Sequence, residues 1–424
     1  MKTVISAGGK GTRISSVACD IPKPMITILG KSVLEYQIET LQKQGFDDII
    51  ITVGHLGDKI RDFFGDGSQF GVRIEYYEEN EPLGTAGALL KIKDRLTDDF
   101  LFINGDLFFD TDLKILSSFH KQKNAAATVL THPNSHPSDS TLIVADKNNR
   151  VTDFITKENR TTFYKNRVNT GIHILSKSII PETETTVLDL DRDILMPLAE
   201  KGGLYCLDTA EYIKDMGTPE RYDAVINDIK NGIPEKLSTK TKRKAVFLDR
   251  DGTLNVYKGF LRNINDLELC DGAADAVKQI NDNGFLAIVV TNQPVIARGE
   301  VTETQLLEIH NKLETLLGEN GAFLNRIYYC PHHPHKGFDG EIAELKTECS
   351  CRKPKTGMFS TASEDFVIDL ESSYTVGDSQ NDILAGKNAG TKTILIGNED
   401  FGQDFTVRSL KEATDIIFGE KEYE

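Results

Sequence analysis

Hydrophobic and polar positions alternate in two grammars along this chain, and the alternation starts at the second residue. Short apolar runs, "KTVIS" (2–6), "DDIIITVG" (47–54), "VRIEYY" (72–77) and "DFLFING" (99–105), read as buried strands. Between them "SVLEYQIETLQKQG" (32–45) and "GTAGALLKIKDRL" (84–96) carry apolar residues at helical spacing. Strands alternating with amphipathic helices predict an α/β fold with a parallel sheet. The same grammar restarts at residue 244. "KAVFLD", "FLAIVVT" and "SSYTVGD" read as strands; "AADAVKQINDNG" and "TETQLLEIHNKLETLLG" read as helices. Between the two series lies "NGIPEKLSTKTKRK" (231–244), with Gly, Pro, small polar residues and a basic run but no period. It reads as a solvated interdomain linker. The expected organisation is residues 1–232, a linker over 233–243, and residues 244–424.

A length of 424 residues supports that division, because single cores stop growing near about 250–300 residues. The composition, 39% hydrophobic and 27% charged, is that of a soluble globular chain. A net charge of −16 disfavours a polynucleotide partner, whose phosphates it would repel. The opening apolar run is too short for the core of a signal peptide. "FLAIVVT" falls far short of the roughly 20 residues of a membrane span. The cytoplasm is the expected compartment, with no membrane partner. Of six cysteines, Cys330, Cys349 and Cys351 crowd together near histidines. In a reducing compartment that cluster reads as a metal site rather than a disulfide framework. Cys19, Cys206 and Cys270 read as small core residues.

Two strand ends carry chemistry. After "KTVIS" come Gly8, Gly9 and Gly11, whose backbone N–H groups can close around an anion, then Thr12 and the cation Arg13. Lys23 follows between two stiffening prolines. With "EPLGTAGAL", "INGD", "VNTGIHIL" and "KDMGTPERY" in order, residues 1–230 resemble the sugar-nucleotide pyrophosphorylases, most closely the mannose-1-phosphate guanylyltransferase-like branch. The resemblance implies a Rossmann-like, GT-A-like mixed sheet. It also implies attack of a sugar 1-phosphate on the α-phosphorus of a nucleoside triphosphate, with pyrophosphate leaving. That chemistry runs on positioning and charge neutralisation. By resemblance, Arg13 and Lys23 are catalytic and Asp106 and Asp215 share one Mg²⁺. Gly84, Thr85, Ala86 and Gly87 let a nucleobase lie against the backbone, Lys157 holds the sugar phosphate, and Asn169, Thr170 and Gly171 contact the sugar. Two departures concern the sugar contacts: Ile14-Ser15-Ser16 stands where the family often has Leu-x-Pro, and Thr156 stands where a glutamate usually precedes the lysine.

The second strand end is "KAVFLDRDGTLN", with Asp249 and Asp251 one residue apart. Paired carboxylates at the end of a buried strand repel unless a cation neutralises them, and Mg²⁺ accepts one or two carboxylates together with substrate phosphate. One carboxylate can then attack phosphorus while the other moves protons. Asp-x-Asp-Gly-Thr resembles the haloacid dehalogenase superfamily of phosphatases. The resemblance implies a Rossmannoid domain in which Asp249 becomes an aspartyl-phosphate and Asp251 is the acid–base. Thr253, Thr291 and Asn292 would bind the phosphoryl group, and Lys353 would neutralise it. Mg²⁺ would sit on Asp249, Asp251 and Asp378, with Asp382 in support. Cys330, His332, Cys349 and Cys351 make a closed tetrahedral set for structural Zn²⁺, although His333 and His335 are near. "CPHHP" followed by "CSCRKP" resembles the heptose bisphosphate and histidinol-phosphate phosphatases. In that reading zinc braces the loop that delivers Arg352 and Lys353. The string "QPVIARGEVTE", with Arg298, leans towards heptose. Joined, the two resemblances imply a bifunctional path to GDP-heptose, acting on small sugar phosphates and GTP, with homo-oligomerisation allowed. The rival expectations are another hexose phosphate with histidinol phosphate, a non-catalytic sugar-nucleotide sensor in the first half, and a partner-binding role for the zinc loop.

Overall fold

A computed structural model describes residues 1–9 and 20–419. The chain divides into two compact units. The first comprises residues 1–132, 143–155 and 169–234. The second takes residues 235–424 together with two stretches from earlier in the chain, 133–142 and 156–168. No helix among the described residues is long and apolar enough to cross a membrane.

In the first unit the four predicted strands form at Lys2–Ala7, Asp48–Val53, Arg73–Glu78 and Asp99–Asn104, all mutually parallel. The sheet is mixed, because Val168–Ser176 adds antiparallel beside Asp99–Asn104. Both faces are covered. Ile5, Ile51 and Ile103 enter one core, while their neighbours Val4, Ile50 and Phe102 enter the other. The period-2 alternation of strand side chains produces that split, and near-continuous apolar runs are its signature. The helix Val33–Gln44 starts where the Ser32 side chain accepts from Glu35 N at 3.2 Å and stops at Gly45. It buries Leu34, Ile38 and Leu41, one stripe at helical spacing. The helix expected over 84–96 begins only at Gly87 and runs to Ile92, followed by a 3₁₀ turn.

The second unit holds a six-stranded parallel sheet. Its order is Arg326–Cys330, Leu286–Asn292, Ala245–Leu248, Tyr374–Gly377, Lys392–Ile396 and Phe405–Val407. Ala245–Leu248 is central and completely buried. Helices Ala273–Asp282 and Glu303–Glu319 form as the spacing predicts. The long helix opens on a capping box between Thr302 and Gln305. In parallel sheets of this kind ligands gather beyond the carboxyl ends of the strands. Those ends carry Asp249, Thr291 with Asn292, and Asp378.

The stretch 231–244 differs from its expected solvated character. Residues Ile233–Leu237 are helical, and Arg243 is buried. Its backbone bonds to Val367 and Asp369 and its Nε donates to Phe366 O at 2.6 Å, so this member of the basic run is a structural cation. The early stretch 156–168 is likewise tied into the second unit. Asn166 N donates to Glu314 Oε2 at 2.8 Å, and Arg167 donates to Asn325 O at 2.8 Å and pairs with the buried Glu314.

Candidate active sites

In the first unit the strand Lys2–Ala7 runs into Gly8 and Gly9. Gly11, Thr12 and Arg13 lie outside the described residues. Gly8 lies against the carboxylate of Glu79, which burial holds above the usual range. Lys23 begins a short turn after Pro22 and donates through Nζ to Asp106 Oδ2. Asp106 follows the strand Asp99–Asn104. The next strand, Leu107–Asp110, pairs antiparallel with Tyr212–Asp215, with Asp215 opposite Leu107. Met216 N also donates to Asp106 O at 3.1 Å. The backbone therefore brings Asp106 and Asp215 to neighbouring positions although over a hundred residues separate them. Arg221 Nη1 and Gly217 N both donate to Asp215 Oδ1, at 2.9 Å.

Gly84 has φ +77°, and a Cβ there would meet Leu188 O at 2.4 Å; at Gly87 it would meet Thr186 O at 2.2 Å. The backbone that approaches these glycines is the protein's own segment 186–188. Thr85 bonds the same segment, accepting from Leu190 N at 2.7 Å. Asn169 joins a part-buried network that extends from its own motif to Asp191. Its Oδ1 bonds His173 Nε2, and its Nδ2 donates to Asp191 Oδ1, each at 2.9 Å. Burial, then the charge of Asp189, pushes Asp191 up to about 6. Lys157 is exposed on the bend after Val151–Ile155 and lies within the stretch that joins the second unit.

In the second unit, carboxylate oxygens of Asp249, Asp378 and Asp382 lie within 4.8 Å of one another. Lys353, 4% exposed, reaches into this cluster. Its Nζ donates to Asp249 Oδ1 at 2.6 Å, to Val290 O at 2.7 Å and to Asp382 Oδ1. Burial pushes Asp249 up to about 7; the nearby Asp382 and Asp251 charges push the same way and Lys353 opposes them. Burial, then Asp382, raises Asp378 to about 6. Burial works against the charge on Lys353, but Asp249 and Asp382 hold it above its ordinary value. Asp382 is also committed to a capping box with Ser379. Three acids with one ammonium leave net negative charge in a desolvated pocket, and a hard divalent cation with oxygen ligands fits that donor set. Gly252, at φ +88°, makes the arrangement possible: a Cβ there would sit 2.0 Å from Asp378 Oδ2.

Asp251 stands outside this acid cluster. It is held by Arg250 at 2.8 Å, Gln293 at 2.9 Å and Asn255 at 3.1 Å. Thr253 Oγ1 is buried and has no hydrogen-bond partner among the described residues. Thr291 accepts from Gln293. Asn292 clasps Lys353 at both ends, accepting from its N at 3.0 Å and donating to its O at 3.1 Å.

The thiol cluster assembles beside it. Cys330 ends its strand opposite Asn292, and Cys349 and Cys351 directly precede Arg352 and Lys353. The three sulfurs are 3.2 to 3.5 Å apart. His332 Nδ1 is 3.4 Å from Cys351 Sγ and 3.7 Å from Cys330 Sγ. These separations exceed a disulfide bond of about 2.05 Å and approach the roughly 3.8 Å edge of a tetrahedron with Zn–S near 2.3 Å. His333 faces elsewhere, with Nδ1 near His335 O and Nε2 3.3 Å from Arg298 Nη2. The Arg298 guanidinium lies between the rings of Phe260 and Phe338, 4.4 and 4.5 Å from their centres. Arg352 donates to His332 O at 3.1 Å, tying the thiol cluster to the lysine arm.

The nucleotidyl transferase family model matches residues 2–232, and the HAD-hydrolase-like model matches residues 350–418. A D-glycero-beta-D-manno-heptose-1,7-bisphosphate 7-phosphatase of Haemophilus ducreyi is 46% identical over 176 residues, which span 41% of this chain and 93% of that protein. The chain belongs to the nucleotidyl transferases through its first half and to the HAD-like hydrolases through its second. It is thus a nucleotidyltransferase and a phosphatase on one polypeptide. Two solved structures are also similar to it. HddC from Yersinia pseudotuberculosis is 29% identical, with TM-score 0.48, over 54% of this chain and 99% of that one. A D,D-heptose 1,7-bisphosphate phosphatase from B. bronchiseptica, complexed with magnesium and phosphate, is 26% identical, with TM-score 0.37, over 42% and 99%. Beyond the motif residues, the phosphatase unit places Arg250, Gln293 and His310 behind its acid pair. The transferase unit places Glu79 and Asp191 beside its motifs. Gln293 opens the string quoted for the heptose-type enzymes; the sequence reading gave the other four no role, and the contact of Arg250 with His310 lies 60 positions away along the chain.

Proposed function

We propose that the protein is a bifunctional enzyme of GDP-heptose biosynthesis. The phosphatase unit removes the 7-phosphate of D-glycero-D-manno-heptose 1,7-bisphosphate. The transferase unit joins the resulting heptose 1-phosphate to GMP from GTP and releases pyrophosphate. One observation carries the reading: an acid and lysine cluster built for phosphoryl transfer, within the part of the chain matched by heptose bisphosphate 7-phosphatases, shares a polypeptide with a nucleotidyl transferase. The first activity leaves the anomeric phosphate that the second consumes. Guanine rests on the guanylyltransferase-like motifs of the first half. We assign the transferase to 1–232 and the phosphatase to 244–424, in the cytoplasm.

In the phosphatase, Asp249 attacks phosphorus while Lys353 and the Thr253 hydroxyl neutralise and orient the phosphoryl oxygens. The bond from phosphorus to the C7 oxygen breaks, and that oxygen takes the proton of Asp251. Water then attacks the aspartyl-phosphate and gives its proton to Asp251, which frees Asp249. Mg²⁺ held by Asp249 and Asp378 would supply charge neutralisation at the phosphoryl group. Asp251 has the acid–base role that the resemblance gives it; its side chain is turned to Arg250 and Gln293, away from the acid cluster. Zn²⁺ on Cys330, His332, Cys349 and Cys351 would fix the loop that sets Arg352 and Lys353. In the transferase, Gly8 and Gly9 with Gly11, Thr12, Arg13 and Lys23 hold the triphosphate; Asp106 and Asp215 would hold Mg²⁺, which would supply further charge neutralisation. Gly84, Thr85 and Gly87 shape the nucleobase side, and Asn169 the sugar phosphate.

The test is product analysis of the full chain with each anomer of the bisphosphate, each nucleoside triphosphate and Mg²⁺. Both anomers are used because the phosphatase relatives are named for the beta form and the proposal for the transferase carries no anomer of its own. GDP-heptose as the dominant product supports the proposal. No turnover of either bisphosphate beside brisk histidinol phosphate hydrolysis overturns it.

A further inference from the structure

The phosphatase reading gives Asp251 a proton to deliver, and delivery depends on direction. Behind Asp251 lies a charged group with almost no freedom. Arg250 has no exposed surface, an unusual place for an arginine. Its Nη2 donates to both carboxylate oxygens of Asp251, at 2.9 and 2.8 Å, and to Gln293 Oε1 at 3.1 Å; its Nε reaches Oδ1 at 3.2 Å. The remaining arm, Nη1, lies 3.2 Å from His310 Nε2. A guanidinium has only donors, so Nε2 must accept, and the ring is neutral with its proton on Nδ1. Burial, and then the charge of Arg250, hold His310 well below the usual histidine range, which agrees with that assignment. His310 sits on the helix Glu303–Glu319, its ring edge-on to Tyr329 at 5.8 Å. Nothing in the Asp-x-Asp motif requires it.

We infer that His310 is a positioning residue for the proton-transfer step: by anchoring the outer arm of Arg250, it fixes the direction in which Asp251 presents its proton to the leaving oxygen. The inference rests on the acid–base reading of Asp251. The bond that breaks is phosphorus to sugar oxygen, the bond that forms is phosphorus to Asp249, and the electron pair left on the sugar oxygen takes the Asp251 proton. A leaving group that is stable as an anion needs no such proton.

The experiment follows the first turnover, in which Asp249 is phosphorylated and the leaving group departs, with the full chain in excess over heptose 1,7-bisphosphate, which has a poor alkoxide leaving group, or over p-nitrophenyl phosphate. His310→Leu removes the acceptor. His310→Gln keeps an acceptor at the Nε2 position. His310→Asn, polar but too short to reach Arg250, gives the same information should the leucine variant fail to fold. For the leucine and asparagine variants the first-turnover rate constant on the bisphosphate falls roughly 10- to 100-fold, a share of the about 10²–10⁴ that a positioned acid contributes. The first-turnover rate constant for p-nitrophenolate release stays within about threefold, and His310→Gln recovers most of the loss. Asp251→Asn serves as reference: its steady-state turnover falls on both substrates, because hydrolysis of the aspartyl-phosphate is common to them, and its first turnover shows the same split, larger. Equal losses on both substrates, or no loss on the bisphosphate, overturn the role of His310 while the Asp251 split stands. Absence of a split in Asp251→Asn itself brings down the acid–base reading, and this inference with it.

Discussion

Substituting Lys353 by methionine keeps most of the apolar stem and removes the ammonium group, with its charge and its donors. The structure says what that charge does: one ammonium bonds Asp249, Asp382 and the Val290 carbonyl, all shielded from water. Without it two buried carboxylates face each other with oxygens no more than 4.8 Å apart. At an effective dielectric constant near 20 that repulsion is about 3.5 kcal/mol. Removing one partner from a buried ion pair typically costs about 3–5 kcal/mol, which agrees. The variant can relieve the repulsion by binding a proton, so Asp249, already raised, moves further up and is a poorer nucleophile at neutral pH. If the same interaction is lost in the transition state, phosphatase kcat falls by roughly 10²–10³. The melting temperature of this unit falls by roughly 10 °C. The assay is phosphate release from the bisphosphate, with pyrophosphate release from heptose 1-phosphate and GTP as internal control. Retention of a tenth or more of the phosphatase activity, with an unchanged melting temperature, would refute the reasoning.

Two further outcomes test the neighbouring parts. Gly252→Ala forces a side chain into a left-handed conformation, costing about 1–2 kcal/mol, and into Asp378 Oδ2 at 2.0 Å; phosphatase activity should fall at least about 100-fold, and near-normal turnover would mean that Asp378 is dispensable. Cys349→Ser should lower bound zinc, read by elemental analysis, and reduce phosphatase activity while leaving pyrophosphate release intact; full activity without zinc would remove the brace and leave the loop to a partner.

Much of this was legible along the chain, for a physical reason. Strands such as Asp48–Val53 and Leu286–Asn292 are buried on both faces, so they print as continuous apolar runs, and reactive groups sit where such runs stop. Asp249, Asp378 and Thr291 were visible that way. Other features depend on contacts that no local pattern encodes. Arg250 and His310 meet across 60 positions, and a histidine on a helical face looks like core. Arg243 sits in a basic run that reads as solvated, yet backbone carbonyls bury it. The stretches 133–142 and 156–168 join the second unit with no shift in composition, because their ties are single polar contacts such as Tyr164 N to Thr315 Oγ1 at 2.9 Å. At Gly84 the need for a glycine was legible, but the backbone that approaches it, Leu188, was not.

Two sites acting in series on one polypeptide can be separated by single substitutions in the full-length protein. The decisive measurement follows phosphate and pyrophosphate released from the bisphosphate and GTP by Asp249→Asn and by Asp106→Asn. With Asp249→Asn neither product should appear, yet pyrophosphate should form normally once heptose 1-phosphate is supplied. Asp106→Asn should release phosphate, accumulate heptose 1-phosphate and form no pyrophosphate. Sugar nucleotide made from the bisphosphate by Asp249→Asn, or pyrophosphate released by Asp106→Asn at the parent rate, would contradict the account.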